Sequence, residues 1–307
     1  MSQLISIVIP VFNEEGNISI ITERLDDVLN VLPYSYEIIF VDDGSSDQTL
    51  VDIKETATKN QSVFFISFSR NFGHQNALKA GLDMSRGNCV ICMDGDMQHP
   101  PALIPTLIKK WEEGYDIVYT KRDNDNHLPL FKRKSSSFFY SLLNRLSDIE
   151  IESGTADFRL VDRRIADLLS NFTEADLFWR GLVKWLGFRQ IGIDYEPAER
   201  KHGQSKYTFK KMMQFALRGI TSFSIKPLTV AVYLGFAFSF LSLLYIPYVL
   251  LSEYFGLAVS GWASTIVTIV FFGGLQLMIL GIIGTYLGKL FMQSKQRPHY
   301  IIREKNF

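Results

Sequence analysis

Charge of either sign is missing from two stretches near the end of the 307-residue chain, Pro227 to Leu251 and Ala263 to Gly288. A bilayer core of about 30 Å takes roughly 20 helical residues, and each stretch is longer than that. A charge at mid-bilayer costs about 2.5–3.5 kcal/mol, so such runs read as two membrane helices and exclude a purely water-borne chain. Net charge is missing as well, because 32 basic and 32 acidic residues cancel. That balance argues against a polyanionic partner, and no nucleic acid is expected to bind. Cysteine is nearly absent: Cys89 and Cys92 are the only two. Three positions apart on a strand, they face opposite sides, which disfavours a disulfide or metal pair and leaves two buried thiols in a reducing cytoplasm. A leader is also lacking, since Leu4 to Val11 has the look of a buried strand without the charged flank and cleavage site of a signal peptide.

The charges that are present lie unevenly about the apolar runs. The linker Ser252 to Trp262 carries no Lys or Arg, whereas Lys289, Lys295, Arg297, Arg303 and Lys305 follow the second run. By the positive-inside bias, both termini and the catalytic part face the cytoplasm of a multi-pass inner or plasma membrane protein, with only the short linker outside. Four regions are expected: an α/β core over 1–125, a region over 126–226 that completes the soluble domain, two membrane helices within 227–290 (227–251 and 263–288), and a basic tail over 291–307.

Along the first 120 residues apolar runs alternate with helical patterns. Ile5 to Pro10, Glu37 to Val41, Val63 to Phe68, Cys89 to Met93 and Ile117 to Tyr119 read as strands. Ile18 to Leu32, Leu50 to Lys59, Gln75 to Met84 and Pro101 to Glu113 read as helices. Strands apolar throughout are buried on both faces, which predicts an α/β fold with a mostly parallel, Rossmann-like sheet between helices. Ligands in such folds bind beyond the carboxyl ends of the strands. Two further segments, about 130–146 and 206–226, place Phe, Leu and Met at helical spacing opposite Lys and Arg, the pattern of helices lying in the bilayer interface.

Three predicted strand ends carry acids: Pro10-Val-Phe-Asn-Glu-Glu15, Val41-Asp-Asp-Gly-Ser45 and Met93-Asp-Gly-Asp-Met-Gln98. An Asp-Gly-Asp turn after a buried strand suits a hard divalent cation such as Mg²⁺, which takes one or two carboxylates and fills its shell with water and phosphate oxygens. Without a cation, two close carboxylates repel. Asp42 and Asp47 have a rival reading as turn-shaping and helix-capping groups. His74 and His99 fall near the same edge, where a lone histidine is usually structural.

These motifs, with Ser69-Arg-Asn-Phe-Gly73, Ala156-Asp-Phe-Arg-Leu160 and Arg200-Lys-His-Gly-Gln-Ser-Lys206, resemble family 2 glycosyltransferases of the GT-A fold, and within them polyprenyl-phosphate glycosyltransferases akin to bactoprenol glucosyltransferases and dolichyl-phosphate mannose synthases. The resemblance runs over essentially the whole chain, and implies that 1–125 is a nucleotide-sugar-binding core and 126–226 an acceptor region. It implies that Pro10, Phe12, Glu14, Val41 and Asp43 hold the base and ribose of a nucleotide sugar, with Gln98 in the same donor set. It implies that Asp94, Gly95 and Asp96 meet the diphosphate, both carboxylates binding Mg²⁺ or Mn²⁺. Arg122, Arg200 and Lys206 are then phosphate contacts, and Arg122, Arg133 and Ser137 receive the lipid phosphate. Asp157 is the implied catalytic carboxylate beside the anomeric carbon, with Asp96 also acting on the reaction. Arg159 and Arg163 are rival salt-bridge partners for Asp157. Phe12 departs from the more usual Tyr, keeping an aromatic wall and losing a hydroxyl.

The expected activity is an inverting transfer of one sugar, glucose first, from a UDP-sugar to undecaprenyl or another polyprenyl phosphate at the cytoplasmic membrane face. A processive polysaccharide synthase is a rival, disfavoured because the Gln-x-x-Arg-Trp motif is missing and Phe178-Trp-Arg180 only echoes it. A non-catalytic scaffold binding nucleotide sugars is the other. Gly284-Thr-Tyr-Leu-Gly288 has the small-residue spacing that lets membrane helices approach, so a homo-oligomer is an open expectation.

Overall fold

A computed structural model of the chain describes residues 3–122, 154–174, 176–196, 219–256 and 261–307. The first half alternates strand and helix: β1 (Leu4–Val11), α1 (Asn17–Leu29), β2 (Ser35–Asp42), α2 (Thr49–Lys59), β3 (Val63–Phe68), α3 (His74–Met84), β4 (Cys89–Cys92), α4 (Ile104–Glu112) and β5 (Ile117–Arg122). Then come β6 (Thr155–Asp162), α5 (Arg163–Ser170), α6 (Trp179–Trp185), β7 (Gln190–Tyr195), α7 (Lys226–Tyr254), α8 (Trp262–Ser294) and β8 (Ile302–Lys305).

One sheet joins all eight strands in the order β7-β5-β6-β4-β1-β2-β3-β8. Neighbours β1/β2, β1/β4, β2/β3 and β5/β7 run parallel, while β4/β6, β5/β6 and β3/β8 run antiparallel. The architecture is thus the expected α/β sandwich, with a mostly parallel mixed sheet. Its antiparallel members are β6 and β8, which carry no long apolar run to announce them.

Side-chain alternation sends each strand into two cores. On one face Ile5, Ile7, Ile9, Ile38 and Phe40 pack with α1, α2 and α4 through Ile18, Ile21, Leu25, Ile53, Ile104 and Leu107. On the other, Val8, Ile39, Val41, Ile66 and Phe68 pack with α3, α5 and α6 through Ala77, Leu78, Ile165, Leu169 and Leu182. Each such side chain removed from water contributes about 1.5–3 kcal/mol. Cys89 falls in the first core and Cys92 in the second, the opposite placement that odd spacing on a strand requires. Burial pushes both thiols up to about 12, so neither is reactive near neutral pH.

The two long helices differ from everything else in what they show to solvent. Residues Ser264–Ser294 of α8 have a mean hydropathy of 2.5 at its peak, none of it buried, and are long and apolar enough to cross a bilayer. Helix α7 runs 29 residues with Pro247 inside it, and Phe238 meets Phe271 and Phe272 of α8 edge-on at 6.0 and 5.5 Å. The base of α8 docks on the segments that precede α6 and α7. Lys289 Nζ donates to Ser222 Oγ at 2.9 Å and pairs with Asp176 at 3.5 Å, while Tyr286 donates its hydroxyl proton to Ser224 O at 2.7 Å. The expected interface helix over 130–146 lies outside the described residues, as does that over 206–226 except for a helical turn at 219–223. Arg133, Ser137, Arg200 and Lys206 lie outside them too.

Candidate active site

Strands β4, β1 and β2 are adjacent and parallel, so their carboxyl ends open at one edge of the sheet. There the three acidic segments line a cavity of about 200 Å³ with Pro10, Val11, Phe12, Glu14, Asp43, His74, Asp94, Gly95 and Asp96. Seven of the residues singled out from sequence meet in it. Val41 does not, because it points into the second core. Arg122 ends β5 to one side, where its Nε donates to Tyr195 Oη at 3.1 Å. Gln98 donates its backbone N–H to Asp96 Oδ1 at 3.1 Å.

The wall formed by β1 and β2 is built from turn hydrogen bonds. Asn13, in a left-handed conformation, donates its N–H to Ser45 Oγ and accepts from Ser46 N, both at 3.0 Å. Asp42 is wholly buried; its Oδ1 accepts from Ser45 N at 2.9 Å and its Oδ2 from Ser67 Oγ at 2.8 Å, which makes it a turn-shaping group. Asp47 accepts from Thr49 N at 3.0 Å and braces Glu15 N at 3.4 Å. Between them, Gly44 takes φ +72° against the backbone of Arg70, where a Cβ would lie 2.5 Å from the Arg70 carbonyl carbon. Asp43 accepts from Phe72 N at 2.6 Å and from Gly73 N at 2.9 Å, at the start of α3. Burial raises its carboxyl above the ordinary value, and these two amides oppose the rise.

The Asp-Gly-Asp turn sits on a buried histidine. Asp94 N–H donates to His99 Nδ1 at 2.9 Å, which leaves the imidazole proton on Nε2, 3.6 Å from Asp94 Oδ2. His99 is fully buried and stacked on Phe158 with ring centroids 5.2 Å apart, and burial lowers its basicity. Two buried polar atoms here have no hydrogen-bond partner, Asp94 Oδ1 and His99 Nε2. An Asp94 carboxylate that lines the cavity and keeps one oxygen without a hydrogen bond fits a divalent cation. Among the described residues no group of three or more His, Cys, Asp or Glu side chains forms a cage.

Asp157, on β6, lies behind the cavity in a different setting. Arg180 of α6 grips it with two bonds, Nε to Oδ1 and Nη2 to Oδ2, each 3.0 Å, and Arg159 Nη2 donates to Oδ1 at 3.1 Å. Arg163, the other expected partner, bonds Gly87 O and Asp167 instead. Burial on its own would raise the Asp157 carboxyl, but Arg180 and then Arg159 outweigh it and hold the group well below the usual carboxylate range. His74 links the two halves, its Nε2 lying 3.4 Å from Asp94 Oδ1 and 3.9 Å from Asp157 Oδ2.

His74, Arg180 and Tyr195 therefore belong to the site without having been assigned to it from sequence. A histidine placed right after the Gly73 turn was the visible signal for the first. Arg180 was hidden in a Phe-Trp-Arg echo of another group's motif, and nothing local marks Tyr195.

Residues 6–169 match the family model described as Glycosyl transferase family 2. The uncharacterized glycosyltransferase YkcC of Bacillus subtilis is 42% identical over 97% of this chain and 93% of its own length. The bactoprenol glucosyl transferase of Shigella phage SfV is 40% identical over 98% of both chains. Among solved structures, mannosyl-3-phosphoglycerate synthase from Rubrobacter xylanophilus superposes with a TM-score of 0.49 at 16% identity, over 70% of this chain and 71% of that one. A family match over more than half of the residues, with relatives near 40% identity along nearly all of them, places the chain in glycosyl transferase family 2.

Proposed function

We propose that this chain transfers one sugar, glucose in the first instance, from a UDP donor to a polyprenyl phosphate at the cytoplasmic face of the membrane, inverting the anomeric centre. The observation that carries the reading is an Asp94 oxygen that makes no hydrogen bond, 3.4 Å from His74 Nε2, at a cavity that also gathers Pro10, Phe12, Glu14, Asp43, Gly95 and Asp96. A relative near 40% identity named a bactoprenol glucosyl transferase supports the choice of sugar and acceptor.

Phe12 offers a flat wall for the base, and Asp43, braced by two amides, offers remaining lone pairs to the nucleoside. Asp94 and Asp96 would hold Mg²⁺ or Mn²⁺, which supplies Lewis-acid neutralisation of the diphosphate when bound. Arg122, with Arg200 and Lys206 by resemblance, offsets the rest of the leaving-group charge. The attacking oxygen belongs to a phosphate already ionised near neutral pH, so no strong base is needed. Asp157 fits that economy: a carboxylate held ionised by two guanidiniums is a poor proton acceptor. Its part is electrostatic and orienting, fixing Arg180 beside the path of the acceptor and facing the positive charge that develops on the sugar. Arg133 and Ser137 receive the lipid phosphate. Helices α7 and α8 form a membrane hairpin that keeps the cleft near headgroup depth, where a polyprenol's phosphate must stay.

Purified full-length protein given UDP-glucose, Mg²⁺ or Mn²⁺ and undecaprenyl phosphate tests the reading. The expected product is one glucose per lipid, with UDP released only when the lipid is present. A ladder of longer glycans would mean a processive synthase, and no lipid-dependent UDP would mean a binding scaffold.

A further inference from the structure

The strand β3 would be an open edge of the sheet, with unpaired backbone groups that invite wrong partners. The tail beyond α8 covers it. Strand β8 pairs antiparallel with β3 as Ile66↔Lys305, Ser67↔Glu304 and Phe68↔Ile302, so Arg303 is the extra residue of a bulge opposite Ser67 and Phe68. The tail is pinned on both sides of that bulge. Tyr300 stacks on Phe68 at 5.1 Å and donates its hydroxyl proton to Asp83 at 2.8 Å. Asn306 Oδ1 accepts from Phe65 N at 2.6 Å, and Phe307 stacks on Phe64 at 5.1 Å. Glu304 pairs with Lys54 at 2.6 Å.

Bulges near active sites commonly re-aim one side chain. Here Arg303 Nη2 donates to the fully buried Ser67 Oγ at 3.3 Å. The same hydroxyl donates to Asp42 Oδ2 at 2.8 Å, and Asp42 Oδ1 accepts from Ser45 N at 2.9 Å. Ser45 Oγ in turn accepts from Asn13 N at 3.0 Å. A chain of four hydrogen bonds thus runs from the residues after the last membrane helix to the turn that carries Asp43 and to the loop that carries Phe12 and Glu14. A serine hydroxyl has one proton and two lone pairs, so an arginine donating to it commits that proton to the buried carboxylate.

We propose that Arg303 is a positioning residue for the donor pocket: through Ser67 and Asp42 it sets the turn holding Asp43, coupling the membrane-anchored tail to nucleotide binding. The identity of the nucleotide rests on the function proposed above; the relay itself does not.

The test uses full-length protein in nanodiscs, with UDP and Mn²⁺ as the probe and amide hydrogen exchange at Gly44, Ser45 and Ser46 as a readout that needs no ligand. Arg303→Ala is expected to weaken UDP binding about fivefold, the size of one ordinary hydrogen bond, and to speed exchange in the turn. Ser67→Ala should do the same, the double variant should be no worse than the more affected single, and Arg303→Lys should recover part of the loss. Tyr300→Phe removes the tail's hydroxyl bond to Asp83 and keeps the ring on Phe68 without touching the relay, and should leave UDP affinity and turn exchange unchanged. Unaltered exchange at the turn in Arg303→Ala overturns the proposal, as does an equal effect from Tyr300→Phe, which would make the tail a staple only. If the unaltered chain binds no UDP, the donor reading fails, and the exchange comparison still decides the relay.

Discussion

The two sides of the cleft are assembled by different physics. On the strand-end side, Asn13, Asp42, Asp43, Asp47 and Ser45 are held by turn hydrogen bonds of about 2.6–3.4 Å, most of them to backbone amides. On the other side, Asp157 is held by two guanidiniums from β6 and α6, with no turn motif around it. The first arrangement leaves carboxylate lone pairs directed at a cavity. The second consumes its carboxylate in ion pairs with Arg180 and Arg159. The transfer proposed above, which brings a cation with a diphosphate against a second anion, draws on both.

The strongest way to break that contrast is at the Asp-Gly-Asp turn. Replacing Asp94 and Asp96 together with Asn keeps shape and removes two charges. Glycolipid synthesis is expected to fall on the order of a thousandfold, with the circular dichroism and melting temperature nearly unchanged. Turnover within about tenfold of the unaltered enzyme would mean that these acids do not face the leaving group.

Asp157→Asn should behave in the opposite manner, losing stability along with rate. Arg159 is buried and would be left with an uncompensated charge, a type of loss that costs about 3–5 kcal/mol. Thermal unfolding in detergent measures it. The pH dependence has a definite sign. Because the folded-state carboxyl is depressed, its stabilisation is complete above the unfolded value of about 3.9 and fades only as pH falls below that toward the folded value. No acid limb of kcat/KM above about pH 5 should therefore belong to Asp157. An acid limb in that range that disappears in Asp157→Asn would make the group a base after all.

Gly44→Ala sharpens the strand-end side alone. A methyl at φ +72°, 2.5 Å from the Arg70 carbonyl carbon, forces the turn off its strand. The expected result is a rise in donor KM of roughly tenfold, about 1–2 kcal/mol, with kcat less affected. An equal fall in kcat would tie this turn to the chemical step.

The same contrast explains what could be read from sequence. Strands β1, β2 and β4 are largely buried runs bounded by turns, and acids sit at or just beyond the end of each, so elements and candidate ligands share one short window. Pro10, Phe12, Glu14, Asp43, Asp94, Gly95 and Asp96 come together for that reason. Strands β6 and β8 mix charge with apolar residues, as in Thr155–Asp162 and Ile302–Lys305, and were not visible as strands. Arg180 reaches Asp157 from another element, and Arg303 reaches Ser67 across a bulge; pairings of distant residues leave no spacing to detect. Val41 erred differently. It sits beside Asp42 and Asp43 in the motif, but alternation along β2 turns it into the core.

Phe12 gives the smallest expected effect and the finest test of the strand-end wall. Its ring is exposed at the rim of the cavity, so it has room for a hydroxyl without repacking. If the wall works through its flat apolar face, Phe12→Tyr changes donor KM by no more than about threefold, because a hydroxyl that water already satisfies gains only about 0.5 kcal/mol from a new hydrogen bond, the low end of the usual range. Phe12→Ala removes the face itself and should cost more, about 1–3 kcal/mol of binding, the range for a base stacked on an aromatic ring. Calorimetry with UDP and Mn²⁺ on the three proteins orders the two contributions. A Tyr variant binding tenfold more tightly would show that hydrogen bonding, not stacking, dominates at this position, and would shift the recognition of the base away from the ring.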